Sequence, residues 1–191
     1  MTAGAAEAAM RFLSGVDAII FDLRASRGGF CPMVQKLAGY LVEPGTELHA
    51  VYRGRKGDPE RITAIAPTAG AFRLSLPVFI LMGPASASAA EAFAYDLKHL
   101  GRAVVIGEKT AGAEICSSQI EFAFPAFNLR FQQATSRLVH PVTRSSWQGT
   151  GVEPDVQAIS GDALAESHKL ALLRLSELAE DPGEKQALAW A

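Results

Sequence analysis

Ser88 stands in the run PASASAAE at 84–91, at or just before the start of a helix. A helix N-terminus leaves N–H groups unpaired and carries the positive end of the helix dipole, so it stabilises an anion. A serine there can attack a carbonyl and hold the resulting oxyanion on its neighbours' backbone amides, notably that of Ala89. Gly28-Gly29, in a second loop, lets backbone approach a ligand closely and could supply the other donor. Ser88 with Glu91 three residues on also spells S-x-x-E, and that spacing alone reads more readily as a capping box.

A serine nucleophile needs a base within hydrogen-bond reach. Lys98 and His99 lie on the same helix, roughly 15 Å away at about 1.5 Å per residue, and are excluded. Lys109 follows the neighbouring strand and is a possible base if buried. His140, in LVHPV, is a less localised candidate. Residues 107–110 (GEKT) lack the spacing of a nucleotide loop. Four scattered histidines and two distant cysteines, Cys31 and Cys116, give no metal-ligand cluster, so neither metal nor cofactor is expected.

The elements that must position these residues follow from periodicity. Residues 18–23 (AIIFDL), 78–82 (VFILM) and 103–107 (AVVIG) are short apolar runs, as expected of buried strands. The spacing predicts helices over 33–41, 87–100 and 162–180, the last with Leu164, His168, Ala171, Leu172 and Leu175 on its apolar face. An N-terminal helix would bury Ala5, Ala8, Ala9, Phe12 and Leu13. Residues 49–53 and 61–65 pair around a turn-rich 54–59, whose basic residues read as a solvated hairpin tip. From 117 to 142 the aromatic and β-branched pattern predicts an antiparallel segment; 149–155 is a Gly/Pro loop and 181–191 a frayed tail. Strand, helix, strand over 78–107 is a βαβ unit with parallel strands. In a parallel sheet the loops at 24–31, 83–89 and 107–113 share the edge where ligands bind.

Length and composition agree with one compact domain or one domain plus an appendage. The 191 residues are 49% hydrophobic, enough to bury a core, and eighteen basic against twenty acidic residues leave a formal charge of -2. Neither nucleic acid nor a charged membrane is an expected partner. The longest apolar run falls far short of a membrane span. No signal-peptide pattern opens the chain, whose first residues read as the middle of a helix, as though the sequence were a fragment of something longer.

Four segments in this order carry a resemblance: FDLRASRGG at 21–29, SASAAEAFAYDLKHLGRAVVIGEKTAG at 86–112, LVHPVTRSSWQGTGVEPDV at 138–156, and the terminal helix. Together they resemble the tail-specific (carboxyl-terminal processing) serine peptidases. The branch indicated includes the tricorn protease core and the interphotoreceptor retinoid-binding protein repeats. The resemblance implies an α/β fold, a ClpP/crotonase-like ββα superhelix with its first strand missing. The core would span 1–160, a helix at 161–180 would pack on it, and 181–191 would be tail. It implies Ser88 as nucleophile with the Ala89 and Gly28 amides as oxyanion donors. Substrates would be peptides or proteins, and extracytoplasmic members are common in the family.

Departures from the family pattern are equally specific. The lysine that the processing branch carries 25 positions after its serine falls on Ala113 here. The tricorn-like branch draws a histidine from a strand upstream of the DLR strand, before this chain begins. Its acid position reads Gln148 in Ser146-Trp147-Gln148-Gly149, and an amide can orient a partner but carries no charge. The implied function is acyl transfer by a serine-type peptidase. The alternative is a catalytically impaired module that binds apolar ligands or peptides, as the retinoid-binding relatives do.

Overall fold

The computed structural model describes residues 3–54, 57–68, 75–114 and 117–190. Arg55, Lys56 and Cys116 lie outside them, so the basic hairpin tip is not described. Helix α1 (Ala3–Phe12) leads through a 3-10 turn to strand β1 (Ile19–Asp22). Then come α2 (Cys31–Ala38), β2 (Glu47–Arg53), β3 (Glu60–Thr63), β4 (Val78–Met82), α3 (Ala89–His99) and β5 (Val104–Gly107). Strands β6 (Ser117–Ala123), β7 (Asn128–Ala134), β8 (Ser136–Val139) and β9 (Val156–Gln157) precede α4 (Ala163–Leu178) and α5 (Pro182–Trp190).

The α/β expectation holds. The main sheet is parallel, in the order β1-β4-β5-β9, and α3 connects the adjacent strands β4 and β5 as the βαβ spacing requires. Strand β4 is buried throughout and divides its side chains by the two-residue period of a strand. Val78, Ile80 and Met82 join the larger core with Phe93 and Leu97 of α3; Phe79 and Leu81 meet Ala163 and Ala171 of α4 on the other face. Among the described residues strand β1 pairs with β4 alone, and of its residues Ile19 is buried, Ile20 and Phe21 partly so, so the two-sided burial expected of it is incomplete.

The remaining strands form two antiparallel sheets. The predicted hairpin β2–β3 is present and gains β8 on its other edge. Strands β6 and β7 make a separate two-stranded ribbon with one apolar face, where Ile120 opposes Phe131 and Phe122 opposes Leu129. The ribbon's other face carries the Glu121–Arg130 pair at 3.1 Å. Phe122, Leu129 and Phe131 are all exposed.

Three helical expectations are corrected. Helix α1 buries Ala6 and Met10, while Phe12 is 88% exposed. The long side chain of Met10 reaches the core and sets the buried stripe one position away from the alanine-rich one. Helix α4 likewise buries Ala163, Ser167 and Ala171, leaving Leu164 exposed. Small residues allow its backbone to lie close to the sheet, and that contact outweighs the leucine stripe. The predicted frayed tail is helix α5, started by Pro182 after Asp181, whose carboxylate accepts the Glu184 N–H at 2.8 Å.

Candidate active site

The three Gly-, Ser- and Ala-rich loops meet at the C-terminal edge of the parallel sheet. Ala87 N–H donates to Ser26 O at 3.0 Å, and Ala111 N–H to Ser86 O at 3.1 Å. Ser86, fully buried, braces the turn by accepting from Gly83 N–H and donating to Leu23 O. Beside it, Arg24 pairs with Asp22 at 2.6 Å and donates to Ser160 O, fastening the end of β1 to the turn before α4. The Arg24 guanidinium holds the Asp22 carboxyl below the usual carboxylate range.

Ser88 caps helix α3 with φ 56° and ψ -123°, a left-handed conformation that side chains rarely adopt. Such strain persists only where surrounding contacts over-determine it. They do so here through Glu91. Its carboxylate, fully buried, accepts the Ser88 N–H at 2.9 Å, the Gly112 N–H at 2.7 Å and the Ala113 N–H at 2.9 Å, together with the Thr110 hydroxyl. Ser88 N–H also donates to Ala113 O at 3.1 Å. Glu91 is therefore more than a helix cap: it ties the serine turn to the loop after β5. Sequence reasoning saw only its capping half, since nothing in the spacing announced Thr110, Gly112 and Ala113 as its other partners.

The oxyanion side is equally close. Ala89 is the first residue of α3, so its N–H has no acceptor within the helix. Gly28, at φ 97°, lies against it; a Cβ placed there would stand 2.6 Å from Ser88 Cβ, 2.8 Å from Ala87 O and 3.1 Å from Ala89 N. Only glycine fits. Gly28→Ala is expected to cost about 2–4 kcal/mol by overpacking and backbone strain, read as a lower midpoint in denaturant unfolding. An unchanged midpoint would show that the loop relaxes freely.

An apolar cavity of about 250 Å³ opens beside these amides. Phe21, Leu23, Met33, Val34, Leu37 and Phe93 line it, with Gly28 and Ala89 at its polar end. It has room for one large aliphatic or aromatic side chain next to the Ser88 turn.

Ser88, Ala89 and Gly28 thus come together, whereas the other candidates stand apart. Lys109 gives its ammonium to Glu153 at 2.6 Å, both half exposed. His140 is buried against Tyr95 and His99, at the opposite end of α3 from Ser88, roughly 10 Å along the helix. Gln148 sits behind the site: its Oε1 accepts the Glu114 N–H at 2.9 Å, one residue beyond Ala113. Glu114, which sequence reasoning passed over, is buried and also accepts from Ser146 Oγ at 2.6 Å and from the Leu138 N–H. Gly112 packs on Gly149–Gly151, so this second loop pins the first. Among the described residues, no group of three or more His, Cys, Asp or Glu side chains could hold a metal ion.

Comparison with known proteins points the same way. The model of Peptidase family S41 matches residues 1–158. A carboxyl-terminal-processing protease of Picosynechococcus is 32% identical over 107 residues, 56% of this chain and 24% of that protein. A probable CtpA-like serine protease of Staphylococcus saprophyticus is 27% identical over 145 residues, 74% of this chain and 27% of its own length. Among solved structures, the photosystem II D1 C-terminal processing protease superposes with TM-score 0.64 at 26% identity, over 82% of this chain and 39% of that one. A putative S41 protease of Bacteroides fragilis gives 0.67 at 24% identity, over 85% and 43%, a likeness of fold. The chain spans about a quarter of the length of these curated relatives. With a family model matched over most of its length, the chain belongs to peptidase family S41.

Proposed function

We propose that this chain is the nucleophile- and oxyanion-bearing core of a serine-type, carboxyl-terminal processing peptidase, with residues 1–160 as its peptidase part and 161–180 as a helix packed on it. Ser88 Oγ attacks the scissile carbonyl carbon and its proton passes to a base. The Ala89 and Gly28 amides hold the oxyanion. The C–N bond then breaks, the amine leaves with a proton, and water releases the acid from the Ser88 ester. The observation that carries the reading is the strained Ser88, held at a helix N-terminus with Gly28 packed directly against it. The apolar cavity supports a substrate with a large apolar side chain on the residue whose carbonyl is attacked.

A base is still needed. Lys109 is occupied by Glu153, His140 faces the far end of α3, and alanine stands at the family's lysine position. In this reading the base is supplied from outside these side chains, and Gln148 orients the loop through Glu114 rather than carrying charge. Neither the family match nor the relatives' names favour the alternative of an impaired ligand-binding module.

The test is labelling of the folded chain by a fluorophosphonate, with Ser88→Ala as control. Labelling that disappears in the variant supports an activated Ser88. Absence of labelling both in this chain and in the full-length protein would defeat the proposal.

A further inference from the structure

Away from Ser88, the core contains a polar cluster that the peptidase reading does not use. His49 on β2 bonds Asp96 on α3, Nδ1 to Oδ2, at 2.8 Å, and both are buried. Tyr95 and His99, on the same helix, pack their rings on His140 at 5.6 Å each, and Tyr95 also contacts Trp147 at 5.1 Å. Asp96 Oδ1 and Trp147 Nε1 are buried with no hydrogen-bond partner among the described residues.

His140 is the pivot of this cluster because its ring nitrogen is an acceptor. Nδ1 receives the Val142 N–H at 3.2 Å and the Thr143 N–H at 3.5 Å. The turn is closed by His140 N–H to Ser145 O and Arg144 N–H to His140 O, and it holds Arg144 at φ 56°. Its outer contact to α3 is the Tyr95–Thr143 hydroxyl pair at 2.9 Å. A proton on Nδ1 would replace the acceptor by a donor aimed at two N–H groups. The turn would then have to open.

From that turn a short series of contacts reaches the nucleophile. Ser146 and Gln148 hold Glu114, and the adjacent Ala113 carbonyl accepts the Ser88 N–H. We infer that His140 is an acid-sensitive latch: protonating its Nδ1 releases the 140–148 segment from α3 and slackens the loop behind Ser88.

The charges around His140 fit the direction of the switch. Burial pushes its pKa below the ordinary histidine value, opposed by Asp96 and aided by His99 and His49. His99 is lowered in turn by burial and by Lys98, against Asp155 and Asp96. Glu114 bonds the chain two residues before His140, at Leu138, and Arg144 lies in the turn itself. With the closed-state pKa depressed, the open turn binds a proton that the closed turn refuses. Closure is therefore fully favoured above about pH 6.5 and weakens as pH falls through that value toward the depressed one.

Amide hydrogen exchange of the whole chain between pH 7.5 and 5, corrected for intrinsic rates, tests this without requiring activity. The opening constant of the amides of residues 142–148 should rise by up to about tenfold per pH unit, the limit for one proton, while β4 amides stay protected. In His140→Asn, whose amide oxygen can accept the Val142 N–H but does not titrate, that acid dependence should vanish; His99→Gln should keep it. Histidine Cε1–H resonances of the native chain give a second reading, with His140 titrating below the ordinary value. The inference is overturned if His140 titrates at or above that value, if the segment opens only together with β4, or if His140→Asn keeps the wild-type acid dependence.

Discussion

Glu91→Ala is expected to lower stability by about 4–6 kcal/mol, the largest loss of any single change in the site. Three backbone N–H groups and the Thr110 hydroxyl converge on this carboxylate in a fully buried position. Removing it leaves the Gly112 and Ala113 N–H groups and the Thr110 hydroxyl without that acceptor, at about 1–3 kcal/mol each before relaxation, while Ser88 N–H keeps the Ala113 carbonyl. Against a total of about 5–15 kcal/mol for a domain of this size, the variant would be close to unfolding. Glu91→Gln distinguishes charge from shape: it keeps one acceptor oxygen but turns an N–H₂ toward N–H groups, so about half the loss is expected. Urea titration checks both. A midpoint shift corresponding to less than 1 kcal/mol for Glu91→Ala would show that the carboxylate is a helix cap and no more.

Ser88→Gly should do the opposite to stability while abolishing phosphonate labelling. At φ 56° and ψ -123° the native serine carries strain of order 1–3 kcal/mol. Glycine reaches that conformation without a Cβ penalty, though its greater unfolded-state freedom returns part of the gain. A net stabilisation of about 1 kcal/mol is expected, seen as a rise in Tm. Ser88→Ala keeps the strained Cβ and loses the capping oxygen, so Tm should fall. If glycine and alanine give the same Tm, the conformation of Ser88 is not strained in solution and its geometry needs another explanation.

The contrast between these two residues shows what could be read from the sequence. Ser88, Ala89 and Gly28 belong to contiguous motifs, and the βαβ spacing at 78–107 together with a parallel strand at 18–23 brought their loops to one edge. Glu91 was visible as a cap because a capping box is local. Its bonds to Thr110, Gly112 and Ala113 span about twenty residues and depend on how the strand after α3 docks. The same limit explains Gln148, whose partner Glu114 comes from another loop, and the His49–Asp96 pair, joined across two elements. Helix existence followed from periodicity. The buried stripes of α1 and α4 did not, because each can turn a neighbouring stripe to the core when Met10 or Ser167 fits the space better.

The order of pairing also has a consequence for synthesis on the ribosome. Strand β1 waits for β4, β2 gains its second partner only with β8, and β5 its second only with β9, so the two larger sheets are completed between distant parts of the chain. The loop that accepts the Ser88 N–H is itself pinned by Gly149 and Val152, which are translated long after the serine. Such non-local closure delays folding until late in elongation. While those residues are being added, the nascent chain carries Ser88 without the contacts that fix its turn in the finished fold.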